Sequence, residues 1–346
     1  MKKHLLSTSA IALGLVAAPA SAQEWNLDWG GYMNQHVAFA DVSGTTIANS
    51  NWDGVGFHSN SEIHFTPSVT LDNGLTFGVN IQLEAENQGG QSYIDETYMI
   101  ISGDTLGRIE IGSENSAGYK SMVGAPSVTS MAINSPSISA FIPLSGVLPF
   151  NFRQAAISAW TEVAGNNDVD RISYYTPDFN GLTVGISYAR NNAGNAVGSH
   201  NNNGSGSVDD IFDIGANYSQ TFGTTSVSLA ARYGTGSIRT GALFGAVAAS
   251  AGPDGLDGTA DDVAAVAGTA ITSDPETWGL GAQIGFGDFT VGAHYAENSV
   301  GTAGSLGDQE GWSFGGTYDA PGAWAFEALT FQGEYKGTGT GGANEE

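Results

Sequence analysis

Three arginines, Arg108, Arg171 and Arg232, fall in segments where polar and apolar residues alternate, and each takes the polar phase. Glu110, Glu84 and Glu86 take the polar phase of their own segments. Fixed charges of both signs along one face of extended chain can line an aqueous passage, where they orient polar solutes and set ion preference. The same groups can also form a salt-bridge network that only stabilises a wall, and the two roles are compatible. A second set lies between residues 115 and 168, where Lys120, Arg153 and Glu162 are the only charges before Asp168. The core of that segment, Ser127 to Phe152, is apolar and carries Pro136, Pro143 and Pro149. A solvated loop would not carry Ile138, Phe141, Leu144, Val147, Leu148 and Phe150. The segment is therefore expected to pack inside the molecule, against another loop, or at a subunit boundary.

Two other chemistries can be weighed. Asp254, Asp257, Asp261 and Asp262 gather oxygen ligands in a Gly-rich stretch, as Ca²⁺ requires. Their spacing does not match an EF-hand loop and lacks its closing Glu, so a solvated acidic loop competes with a Ca²⁺ site. No other cofactor is suggested. The histidines after residue 22 (His36, His58, His64, His200 and His294) occupy no recognisable nucleophile context, and enzymatic activity is not expected.

The elements that carry these charges repeat one pattern, about ten alternating residues followed by a Gly/Asn/Asp turn. Leu75, Phe77, Val79, Ile81 and Leu83 share one face, while Thr76, Asn80, Gln82 and Glu84 share the other. That period belongs to a strand with one apolar and one polar face. Thirteen such strands can be read: 27–39, 61–71, 75–86, 94–102, 108–114, 170–177, 182–190, 210–220, 225–235, 276–286, 289–297, 311–319 and 326–336. Residues 40–59 read as a polar, Gly-rich loop. Every second connection is a turn of a few residues, such as Asp72-Asn73-Gly74, and the others are long. A soluble sandwich has no reason to sort its loops in this way. A transmembrane antiparallel barrel does, with short turns on one side of the membrane and long loops on the other. The fold class expected is therefore all-β, with the apolar face in lipid and the polar face toward water.

Composition agrees. Lys2 and Lys3, the apolar run Leu5 to Val16 and the small residues Ala20-Ser21-Ala22 form a signal peptide over residues 1–22, leaving 23–346 as one barrel domain. The formal charge of −25 disfavours nucleic acid as a partner. With no cysteine, stability must come from something other than disulfides, and a closed set of paired strands would supply it. Gly78, Gly185, Gly215, Gly279, Gly281 and Gly292 fall on the inward phase, which reads as open space in the interior.

Three runs carry a family resemblance. They are Asn73-Gly74-Leu75-Thr76-Phe77-Gly78, the stretch from Ile101 through Gly103-Asp104-Thr105-Leu106-Gly107 to Gly112, and Arg171-Ile172-Ser173-Tyr174-Tyr175-Thr176-Pro177-Asp178-Phe179-Asn180-Gly181-Leu182. In this order they resemble the general diffusion porins of alphaproteobacteria, over most of the mature chain. The resemblance implies a 16-stranded outer-membrane barrel of a Gram-negative bacterium, assembled as a homotrimer amid lipid and lipopolysaccharide. It also implies a third loop folded into the pore, and 115–168 is the longest irregular stretch, located after the fifth strand. Arg108, Glu110, Arg171, Arg232, Glu84, Glu86, Lys120, Arg153 and Glu162 are then the candidate pore-lining and constriction residues.

The end of the chain departs from the family pattern, which closes on an aromatic residue; here the last residues are Gly341-Gly342-Ala343-Asn344-Glu345-Glu346. An odd count of thirteen also leaves a barrel unclosed. Either a strand is hidden in 115–168 or the final strands are absent from this sequence, and the second is the expectation. The function expected is passive diffusion of small hydrophilic solutes and ions, with mild cation preference because carboxylates outnumber arginines. A substrate-specific channel and a plugged structural or adhesive barrel are the alternatives.

Overall fold

The computed structural model describes residues 24–40, 54–85, 94–128, 157–192, 208–239, 243–244, 268–302, 305, 307–336 and 344–345. The signal-peptide segment lies outside them. In chain order the strands are β1 (Trp29–Ala40), β2 (Gly54–Phe65), β3 (Ser68–Thr70), β4 (Thr76–Glu84), β5 (Ile94–Gly103) and β6 (Gly107–Glu114). The helix α1 (Ala117–Ser121) and a 3₁₀ turn (Val163–Gly165) precede β7 (Val169–Tyr175), β8 (Leu182–Asn191), β9 (Val208–Phe222) and β10 (Thr225–Ile238). Then come β11 (Leu243–Phe244), β12 (Thr269–Ala270), β13 (Glu276–Phe286), β14 (Phe289–Ser299), β15 (Gln309–Asp319), β16 (Ala325–Lys336) and β17 (Asn344–Glu345).

All but the small β11–β12 hairpin join one antiparallel sheet in which sequence neighbours pair. β2 and β3 both pair with β4 and form one strand broken at Pro67, which has no N–H to donate. Counting them together and setting aside the two-residue β17 leaves the thirteen strands expected. The one substantial difference is at β2. It begins at Gly54, inside the stretch read as loop, because Val55 and Phe57 continue its outward phase and pair with Phe39 and Val37. Among the described residues β1 pairs only with β2, and the sheet's other edge is at β17, so the two edges do not meet.

The hairpin turns follow from local chemistry. Gly74 adopts φ +83°, open to glycine without strain, and the Asn73 side chain accepts a hydrogen bond from the Leu75 N–H at 3.1 Å.

Burial is inverted relative to a soluble protein. On β7, Arg171, Ser173 and Tyr175 are buried while Ile172 and Tyr174 between them are exposed. Ile111, Ile186, Ile214, Leu229 and Leu280 are likewise exposed on the outer face. Rings mark both ends of that face. Phe286, Phe289, Tyr318 and Phe326 stack in series at the short-turn end, with centroids 5.8, 4.5 and 6.5 Å apart. Trp278 and Tyr295 meet at 5.3 Å at the other end. Eight steps along β13 lead from Trp278 to Phe286, roughly 26 Å of strand at ~3.3 Å each, or ~20 Å of height at a tilt of ~40°, which with the rings at each end is close to an apolar band ~25 Å tall between two aromatic girdles.

Candidate functional site

The inner face of the sheet is occupied by the segment that follows β6. Its outgoing limb (115–128) and return limb (157–168) are described; residues 129–156, with Arg153 and most of the apolar run, lie outside the described residues. The outgoing limb opens on a capped helical turn, in which the Ser116 hydroxyl accepts from the Tyr119 N–H at 3.1 Å. It then runs along the inner wall past β7–β10, β13 and β14 to Ser127 and Val128, which both donate to Glu327 on β16. Glu162 joins the two limbs by accepting from the Ser116 N–H at 2.6 Å.

Sequence-derived residues converge at the start of this loop. Lys120 reaches Glu110 at 2.9 Å and Glu114 at 2.5 Å, with its ammonium 4.2 Å from the centre of the Tyr98 ring. Arg108 lies 3.1 Å from Glu110 and stacks over Tyr175 at 4.5 Å. Burial works against the Lys120 charge, but Glu114 and Glu110 outweigh it and hold the ammonium above its usual range. Arg171 donates through Nε to the Glu114 carbonyl at 2.6 Å and through its terminal nitrogen to the Asn166 carbonyl, tying the end of β6 and the return limb to β7. Arg232 donates to Thr277 Oγ1 at 3.2 Å and faces the charges of Asp213 and Glu162. The basic side chains therefore lie on the same wall as their carboxylate partners and hold the loop down.

Glu84 is elsewhere. On the β2–β5 side of the wall, Glu62, Glu84 and Asp95 bring carboxylate oxygens within 4.8 Å of one another. Glu86 and the acidic stretch Asp254, Asp257, Asp261 and Asp262 lie outside the described residues. One participant was not singled out from sequence. Glu96 accepts from Gln82 at 2.7 Å and from the Asn115 amide at 2.6 Å; it shares the phase of Tyr98, but a register shift on its N-terminal side leaves Ile94, of the same phase, exposed on the outer face. Glu114, on the same phase as Glu110, was legible in principle.

The inward glycines correct an expectation. Gly215, Gly281 and Gly292 do not open empty space, because the loop lies against them, and Gly185 is covered by the Tyr175 ring and the Ala117 methyl group. A Cβ at Gly215 would come within 2.5 Å of the Ser121 hydroxyl, and one at Gly292 within 2.7 Å of the Gly124 carbonyl oxygen. Small apolar clusters mark the same contact. Met122 and Ala159 of the loop pack on Ala230, and Val163 packs with Val169, Ala189, Val208 and Ile211.

Asp168, at the end of the return limb, is pushed up to about 7 by burial and then by Asp95, Glu96 and Glu162. Its folded pKa lies above its ordinary value, so the folded state retains a proton that the unfolded state loses. Stability from this group falls as pH rises from about 4 to 7 and is flat above. The return limb is expected to resist limited proteolysis better at pH 5 than at pH 8, and Asp168→Asn to remove the difference.

The sequence model for Gram-negative porins matches residues 7–346. The chain belongs to the Gram-negative porin family. This porin is thus a multi-pass outer-membrane β-barrel protein that acts as a diffusion channel and not as an enzyme. It is similar in fold to OmpF of Salmonella typhi, solved in complex with daunomycin, at 15% identity and TM-score 0.54, covering 94% of this chain and 83% of that one. The anion-selective porin of Comamonas acidovorans is also similar, at 17% identity and TM-score 0.50, covering 89% of this chain and 78% of the other. No curated protein matches the sequence.

Proposed function

We propose that this porin passes small hydrophilic solutes and ions by passive diffusion with a modest preference for cations. The observation behind the preference is the unequal use of charge on the inner wall. Lys120, Arg171 and Arg232 are engaged with the loop or its immediate supports, whereas Glu62, which meets Tyr32 and His64, clusters with Glu84 and Asp95 on the β2–β5 side, partly buried and away from the loop seat. Carboxylates gathered within 4.8 Å create a negative potential that raises the local cation concentration. The Comamonas porin shares the fold and is anion-selective, so the preference must come from such side chains and not from the barrel. The family also supports assembly as a homotrimer amid outer-membrane lipid and lipopolysaccharide.

Reversal potentials in a KCl gradient test the preference. Cation selectivity is expected, reduced when Glu62 and Glu84 are both changed to Gln; clear anion selectivity in the parent protein would overturn it. Absence of conductance steps in planar bilayers would favour a plugged barrel instead.

A further inference from the structure

We infer that Gly215, Gly281 and Gly292, together with the donors Asn217 and Gln283, form a built seat on the inner wall that sets how far the loop projects into the pore, and hence the pore's bore. The inference rests on the diffusion-channel reading and adds to it the residues that fix the aperture.

Glycine in the middle of a strand weakens it by roughly 0.5–1 kcal/mol relative to Ala, so each of these positions needs a reason. Backbone conformation is not the reason, because none of the three adopts positive φ. Space is. The chain passes them in order, Ala117 and Ser121 over Gly215 on β9, Val123 over Gly281 on β13, and Gly124 over Gly292 on β14. At Gly281 a Cβ would overlap the Val123 carbonyl oxygen outright, and that oxygen belongs to backbone that cannot rotate away. At Gly215 the Ala117 carbonyl oxygen would lie 2.8 Å from the added atom. Ser187 on β8 accommodates the loop in another way, its hydroxyl accepting from the Ala117 N–H at 3.1 Å.

The polar partners are aimed at the same backbone. Asn217 donates to the Ser121 carbonyl at 2.9 Å, two residues along β9 from Gly215. Gln283 donates to the Gly124 carbonyl at 2.8 Å, two residues along β13 from Gly281. Each strand therefore pairs a glycine that lets the loop approach with an amide that holds it there. At Gly281 and Gly292 the wall meets carbonyl oxygens of the loop, and at Gly215 it meets the Ser121 side chain and the Ala117 carbonyl oxygen, so the seat fixes the depth of the loop mainly through the distance to its backbone. A loop lifted off this seat has only the channel interior to move into.

Gly279 gives a built-in comparison. It lies on the same strand and face as Gly281, but a Cβ there would meet the Tyr295 carbonyl oxygen at 3.4 Å and the flexible Met122 end at 3.5 Å, ordinary contacts. Single-channel conductance of the full protein in planar bilayers then tests the seat. Gly281→Ala is expected to fall to about two-thirds of the parent conductance as the loop is pushed inward, while Gly279→Ala stays at the parent value. Heat-modifiable gel mobility reports whether each variant folds. If Gly281→Ala does not fold, Gln283→Ala removes a tether without adding volume and should increase open-channel noise and lower the voltage at which channels close. Gly281→Ala conducting like the parent or better, or Gln283→Ala with parent-like noise and closure, would overturn the inference. A parent protein without conductance steps would instead remove the diffusion-channel reading, and the seat's proposed role with it.

Discussion

Lys120→Met is expected to be the most damaging single change on the inner wall. Its ammonium bridges Glu110 and Glu114, whose side chains are 1% and 0% exposed. Removing one partner of a buried ionic cluster costs about 3–5 kcal/mol, because charges already taken out of water lose their compensation. Lys120 itself is 19% exposed, so the lower end of that range applies. Met keeps most of the volume, and the effect then reports charge. Arg108 cannot replace the lost cation, because it approaches only Glu110 and is 45% exposed. Thermal unfolding in detergent should show a clear loss, and adding Glu114→Gln should restore part of it by removing the unpaired carboxylate. In bilayers the single variant should also become more cation-selective. Equal stability of Lys120→Met and the parent would mean that the cluster contributes nothing net to holding the loop.

The second large effect is on the outer face. Ala282 on β13 lies midway between Trp278 and Phe286, the rings that mark the two membrane boundaries on this strand. Ala282→Arg places a cation in the middle of the apolar band, at a cost of about 2–4 kcal/mol. Ser228 on β10 provides the contrast. It pairs with Gln283, the residue next to Ala282, and so lies at a similar depth on the opposite face. Ser228→Arg should cost less than about 1 kcal/mol, because its charge meets water, and it should move selectivity toward anions. Urea titrations of both variants folded into lipid vesicles measure the difference. Similar stability losses would contradict the assignment of faces.

These contrasts show what one-dimensional pattern can carry. Alternation assigned Arg108, Glu110, Arg171 and Arg232 to one face, and the structure places all of them on the inner wall. It worked because a strand has a period of two, so phase is conserved for as long as the pairing is regular. Phase is lost where pairing is irregular, as at the shift between Glu96 and Ile94. At β2, Gly54 and Gly56 looked like loop, since glycine lacks the side chain from which phase is read.

The partner of each inward charge was not legible in the same way. Lys120 meets Glu110 and Glu114 within a few residues of its own segment, yet nothing in the spacing says that α1 turns back onto β6. Arg171 could have opposed a carboxylate; it binds two backbone carbonyls instead, a type of partner that sequence pattern does not display. The same blindness turned the inward glycines into empty space. Their missing side chains were visible, but what lies against Gly215, Gly281 and Gly292 is a loop from far away in the chain.

By itself, then, the sequence determined the strands, the two faces, the sorting of short and long connections and the membrane setting. All of these follow from local periodicity and from the free energy of placing each residue in lipid or water. Only the tertiary structure decided where the loop after β6 lies, which charges hold it and which remain toward the lumen. Those outcomes depend on distances between segments up to about two hundred residues apart, as in the contact of Ser127 with Glu327, and no local period encodes them.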